Sequence, residues 1–243
     1  MTSLTPSHAA ARSGSHVPAA ASAHPVRKAS RRVTDAPTRM FHWLFAVSFA
    51  GAYLSAESEH YRLLHVTLGY LMAGLLVFRL VYGVLGPRPM ALGTLWRKAS
   101  GAGDWVRSLW QRPQGNAINW RQGQNLTMAV AILLMLVAVV PLTASGYLVY
   151  NDLGDLFGGD WLEALHDQLG NAFLMLVLVH LGFLLVVSIL RRKNQALPML
   201  TGHLEGSGPH LVKDNRLWLA VLMLACAALW VAWQWQQAPS GLW

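Results

Sequence analysis

"LHDQLGNAFLMLVLVH", residues 165–180, is the stretch on which the reading of this chain turns. His166 opens the apolar run and His180 closes it, fourteen positions later. Ionisable residues within a bilayer are costly, face the bundle interior and carry function. Fourteen residues of helix rise about 21 Å and return to within about 40° of the starting face. The two histidines therefore share one stripe of one helix, at two heights.

The rest of the chain supplies the class. Of 243 residues, 54% are hydrophobic and 12% charged, whereas soluble domains carry about 25% charged residues. Five windows have the roughly 17–25 apolar residues that a spanning helix needs. They lie near Pro37–Ala56, Leu63–Leu85, Leu126–Tyr150, Trp161–Leu190 and Trp218–Trp235. None alternates as barrel strands do. The expectation is an all-α integral membrane protein: a four-helix transmembrane bundle plus a fifth transmembrane helix. Residues 1–32, rich in Ala, Ser, Pro and His, read as a disordered cytoplasmic tail. Residues 33–203 read as the functional domain, and 204–243 as a linker and the fifth helix. Pro141 should kink the third span.

Net charge is +8, and its placement matters more than its size. Arg27, Lys28, Arg31, Arg32 and Arg39 precede or open the first span. Arg88, Arg97, Lys98, Arg107, Arg112 and Arg121 lie between the second and third; Arg191, Arg192, Lys193, Lys213 and Arg216 between the fourth and fifth. The other face holds Glu57, Glu59, Asp152, Asp155, Asp160, Glu163 and Asp167 against Arg62 alone. The positive-inside rule then puts the N-terminus in the cytoplasm and the C-terminus outside. Because these bases flank spans, topology accounts for them and nucleic-acid binding is not expected. An export-signal reading of Arg31-Arg32, with Ala50-Gly51-Ala52 as a cleavage site, fits poorly. The first span is long for a signal and carries His42 and Trp43. Cys226 is the one cysteine, which excludes an internal disulfide and a multi-cysteine cluster.

Four histidines fall within or at the edge of spans: His42, His65, His166 and His180. By depth His42 matches His180, and His65 matches His166, so each level draws on two helices. Haem b fits that arrangement best, since its iron takes two axial ligands on opposite faces of a flat ring. Zinc wants three or four converging ligands, and neither level offers a carboxylate or thiolate beside its histidines. The bland alternative is a set of core histidines hydrogen-bonded across helices. Gly69 and Gly170 each lie one turn beyond a histidine and would let a ring approach the backbone. Arg79 follows His65 by fourteen residues and should point inward at the level of His42 and His180. There it would pair with a haem propionate or orient a quinone head group, unless it snorkels to the interface.

The segments "PTRMFHW", "LLHVTLGYLMAGLLVFRLVYG", "LHDQLGNAFLMLVLVHLG" and "LPMLTG" resemble, in the same order, the bacterial di-haem cytochrome b group. That group includes prokaryotic cytochrome b561 proteins and the b-type subunits of membrane-bound nickel–iron hydrogenases. The likeness covers roughly residues 33–203; the tail and the fifth span lie outside it. The resemblance implies two bis-histidine b haems and exchange of electrons with the quinone pool. Carried over, His42 and His180 would hold the cytoplasmic-side haem, and His65 and His166 the periplasmic-side one.

Two stacked redox centres form an electron wire across the bacterial inner membrane. The expected function is electron transfer between quinone and a periplasmic partner, a cytochrome c or a dehydrogenase or hydrogenase subunit. A stand-alone superoxide:quinone oxidoreductase is the alternative. It needs a positively charged outer pocket, and the outer face here is acidic. A transporter with histidine proton relays is the third reading. The loop over residues 86–124, with Trp96, Trp105, Trp110 and Trp120 among its bases, reads as an interfacial stretch on anionic lipid.

Overall fold

The computed structural model describes residues 29–111, 120–153 and 161–237. A short strand β1, Ser30–Arg32, precedes helices α1 (Ala36–Ser55) and α2 (Arg62–Leu85). Two short helices, α3 (Leu92–Ser100) and α4 (Ala102–Gln111), lead to the long α5 (Trp120–Tyr150) and α6 (Trp161–Arg191). The turn-length α7 (Leu197–Leu200), strand β2 (His203–Glu205) and helix α8 (Leu217–Gln237) follow. Among the described residues, four helices are long and apolar enough to cross a membrane. They are α2 with the 3-10 turn Glu59–Tyr61 before it, α5, α6 and α8. This is a membrane protein. α1, the first of the five expected spans, is not among the four, because Thr38, Arg39, His42 and Ser48 interrupt its apolar run. α5 continues as one helix through Pro141.

The core nevertheless draws on α1. Phe49, Met72, Leu76, Val139, Leu142 and Phe173 form one buried cluster, with members from α1, α2, α5 and α6. Phe173 is 2% exposed and meets Phe49 edge-on, with ring centroids 4.7 Å apart. Such aromatic pairs contribute about 0.5–1.5 kcal/mol beyond area burial. In lipid this packing, rather than escape from water, holds helices together. α8 stands outside the cluster, against α1 and α2. Its Trp230 indole donates to the Thr67 carbonyl at 3.2 Å. The helices that build the core and those apolar enough to span thus overlap without coinciding.

One end of the bundle is basic and is fastened by a clasp. β1 pairs antiparallel with β2, Arg31 opposite Leu204. Beside them the Gly202 carbonyl accepts from the backbone N–H of Val33 at 2.9 Å and of Thr34 at 3.2 Å. Gly202 has φ +81°, and a Cβ there would lie 2.9 Å from the Thr34 oxygen, so glycine is required on both counts. Arg39 donates to the Leu200 carbonyl and the Trp43 indole to that of Met199, which binds α7 to the first turns of α1. The pairing joins residues 30–32 to residues 203–205. Of the expected tail, residues 29–32 are described, and residues 1–28 lie outside the described residues.

Asp35 is the hub of the clasp, and its side chain is fully buried. One carboxylate oxygen accepts the Thr38 N–H at 3.2 Å and caps α1, and the other accepts the Tyr82 hydroxyl of α2. Asp35→Ala removes the cap and strands a Tyr82 hydroxyl, each effect costing about 1–2 kcal/mol. The expected outcome is a lowered thermal midpoint in detergent, partly recovered by Asp35→Asn; an unchanged melt would show that the clasp does not hold α1.

Candidate functional site

Heptad-like spacing turns one side of each core helix inward. On α1 the inward stripe is His42, Phe45, Phe49 and Tyr53; on α6 it is His166, Leu169, Phe173, Val177 and His180. Each stripe carries histidine at an end and apolar or aromatic side chains between, at the three- and four-residue steps that share a helix face. Phe45 and Phe173 centroids lie 6.2 Å apart, so aromatic rings fill the bundle between the two histidine levels. All four histidines are partly buried.

At the acidic end His65 and His166 face each other. Their ring centroids are 6.0 Å apart and the rings are nearly perpendicular, at 88°. His65 Nδ1 lies 2.8 Å from the Ala52 carbonyl oxygen. A carbonyl only accepts, so Nδ1 carries the hydrogen and Nε2 keeps its lone pair. His166 reaches the same state by another route. Its Nδ1 lies 3.0 Å from Ser145 Oγ, and that hydroxyl donates its own hydrogen to the Leu142 carbonyl. The hydroxyl is thereby left to accept from Nδ1–H. Gly146 makes room for the ring, since a Cβ there would sit 2.8 Å from His166 Cε1.

At the basic end His42 and His180 are electrostatic neighbours. The Nδ1 atoms of both are buried without a hydrogen-bond partner among the described residues. Leaving such a group unsatisfied costs roughly 1–3 kcal/mol. Arg79 is partly buried on the same end of α2, with Asp35 and Tyr82 as its charged and polar neighbours. Its Nη1 also lacks a partner among the described residues. Gly69 and Gly170 lie one turn from His65 and His166, and a Cβ at either would meet nothing within 4 Å.

The profile of the prokaryotic cytochrome b561 family matches residues 33–202. The chain belongs to that family. No curated protein and no solved structure matches it. Membership in the cytochrome b561 family implies haem b binding and electron transfer within a membrane. The match begins just after the β1 strand and ends at Gly202, so it takes in α1, α2, α5, α6 and the α7 segment but leaves out α8.

Sequence reading brings the four histidines forward and misses the groups that orient them. The Ala52 carbonyl carries no side-chain signal at all. Ser145-Gly146 was legible as a small polar step inside an apolar run, but nothing marked which histidine it would meet. Gly146→Val drives a branched side chain into the His166 ring. Haem content per chain should fall by about half or more, consistent with the 1–3 kcal/mol cost of overpacking. Full haem content measured by the pyridine haemochrome would remove Gly146 from the site.

Proposed function

We propose that this cytochrome b561 family member is a di-haem electron-transfer protein of the bacterial inner membrane, linking quinone to a periplasmic redox partner. Its haems would be held at the two histidine levels, by His65 with His166 and by His42 with His180. The observation that carries the reading is the outer pair. A metal ion between two facing imidazoles separates their centroids by roughly 6 Å, counting two metal–nitrogen bonds of about 2 Å and half a ring at each end. The 6.0 Å found between His65 and His166 fits that requirement. Both Nε2 lone pairs are left available because Nδ1 is engaged by Ala52 and Ser145. Such outer partners fix the tautomer and raise ligand basicity.

The inner pair is supported differently. Two buried ring nitrogens without partners are what a polar or ligated group between α1 and α6 would explain. At the outer level, the open space at Gly69 and Gly170, one turn from His65 and His166, is where a flat macrocycle would lie against backbone. When bound, haem supplies reversible one-electron chemistry. The chain's part is to orient the imidazoles, to keep water out with Phe45, Phe49 and Phe173, and to set the two levels about 21 Å apart along α6. Residues 33–203 are the domain that does this in the present reading, with 204–243 an appended anchor.

Orientation follows from charge. The basic end, with the clasp, would face the cytoplasm, and the acidic end the periplasm. Asp152, Glu163 and Asp167 are exposed at that end and would steer a basic surface of a cytochrome c or dehydrogenase partner. Asp155 and Asp160 of the same connection lie outside the described residues. Arg79, whose Nη1 has no partner among the described residues, is the group that would meet a haem propionate or a quinone oxygen at the inner level.

Haem stoichiometry tests the pairing. Wild type should carry two haems per chain, and His65→Ala and His180→Ala one each, with different residual midpoint potentials. Identical residual spectra and potentials in the two variants would overturn the two-level assignment. Arg79→Leu should slow quinone reduction by about tenfold or more, as expected for losing a charged hydrogen bond of 1.5–3 kcal/mol. An unaltered rate together with an unaltered inner-haem potential would remove Arg79 from the site.

A further inference from the structure

The basic end carries a hollow that the haem chemistry does not use. It has a volume of about 460 Å³ and lies between the end of α3, Gly101 and the first turns of α5. Arg97 and Lys98 line it from α3, and Arg121, Asn125 and the buried Leu126 from α5. Across residues 86–126 there are six bases and one acid, Asp104. Among the described residues, the hydrogen bond Arg97 makes is within its own helix, to Thr94 Oγ1 at 3.2 Å. Arg97, Lys98 and Arg121 form no ion pair among the described residues. α5 is 31 residues long, and its positive dipole end opens on the hollow.

The neighbourhood fixes the depth. α3 and α4 are short amphipathic helices, with Trp96, Trp110 and Trp120 exposed around them. Trp105 packs on Gly123, where a Cβ would overlap its ring, and this pins α4 to the start of α5. Tryptophan gathers at the headgroup level of a bilayer, and amphipathic helices with Arg and Lys on the polar face lie in that plane. Leu126 begins the apolar run that crosses the membrane. A hollow lined by three cations and by the first leucine of an apolar span suits a ligand with an anionic head and an apolar tail.

We propose that this hollow binds the phosphate of an anionic phospholipid, with Arg97, Lys98 and Arg121 reading the charge and Asn125 donating to a headgroup oxygen. Arginine forks suit phosphate oxygens, and basic pockets at the cytoplasmic ends of spans bind such headgroups. Free phosphate shares the chemistry but lacks the tail that would lie along Leu126.

The test uses the full haem-loaded chain in neutral detergent. Three probes are titrated: short-chain phosphatidylglycerol, short-chain phosphatidylcholine and inorganic phosphate, with bound lipid read by native mass spectrometry. Phosphatidylglycerol should bind saturably and phosphatidylcholine should not, while inorganic phosphate competes only weakly. R97Q/K98Q/R121Q should weaken phosphatidylglycerol by about a hundredfold, with the reduced-haem spectrum unchanged. R191Q/R192Q/K193Q removes as much charge from the same end outside the hollow and should retain affinity to within about threefold. Equal losses in the two triple variants would overturn the site, leaving only general surface charge. Tight inorganic phosphate binding with no preference for the lipid would overturn the lipid assignment. If the first variant loses its haem spectrum, N125D places a negative charge in the hollow instead and should weaken the lipid by about tenfold; no weakening in N125D with intact haem also overturns the site.

Discussion

An imidazole inside an apolar bundle needs a partner for each nitrogen, and the rest of this structure follows from where those partners come from. At the acidic end the protein supplies them. Ala52, at the end of α1, offers a carbonyl to His65, and Ser145 of α5 offers a hydroxyl to His166. Two neighbouring helices thereby set the rotation of the two that carry the rings. At the basic end the Nδ1 atoms of His42 and His180 have no hydrogen-bond partner among the described residues. The same four-helix core thus holds one level whose rings are already oriented and one whose Nδ1 atoms have no partner among the described residues.

The basic end is also the more heavily braced, and the reason lies in α1. α1 has the least apolar run of the core helices, and Arg39 and His42 sit near its start. Lipid alone would hold it poorly. The clasp answers this with backbone pairing between β1 and β2, with Arg39 and Trp43 tied to the α7 carbonyls, and with Asp35 joining the first turn of α1 to Tyr82 of α2. Arg216 adds a cation over the Tyr82 ring at 5.9 Å. Polar bonds at the membrane edge do for α1 what apolar length does for α5 and α6.

Much of this was legible in sequence. The fourteen-residue interval from His166 to His180 is a property of helix period alone, so the stripe on α6 could be drawn before any coordinates. The matching of His65 with His166 by depth needed only the direction of each span. The clasp was not legible, because three-residue strands carry no periodicity and Ser30–Arg32 reads as the end of a polar tail. Nor was the difference between the two levels. It rests on a main-chain oxygen at Ala52 and on the hydrogen that Ser145 gives to Leu142, and neither leaves a trace in residue type. Span counting also blurred, since α1 is needed for the core yet falls short on apolar length, while α8 has the length and stays outside the core.

The position of α8 follows from the same division. It packs on α1 and α2. α1 is the helix that lipid holds least well, and α8 shields it from lipid where the two pack. Ala220 and Ala227 are buried there, small enough to let the backbones approach. Trp230 then reaches across to the Thr67 carbonyl, two residues beyond His65. A bond to the main chain at that point limits how far the α2 backbone can shift, and with it the ring that faces His166. The helix outside the family's matched region thus braces one of the four histidines from behind.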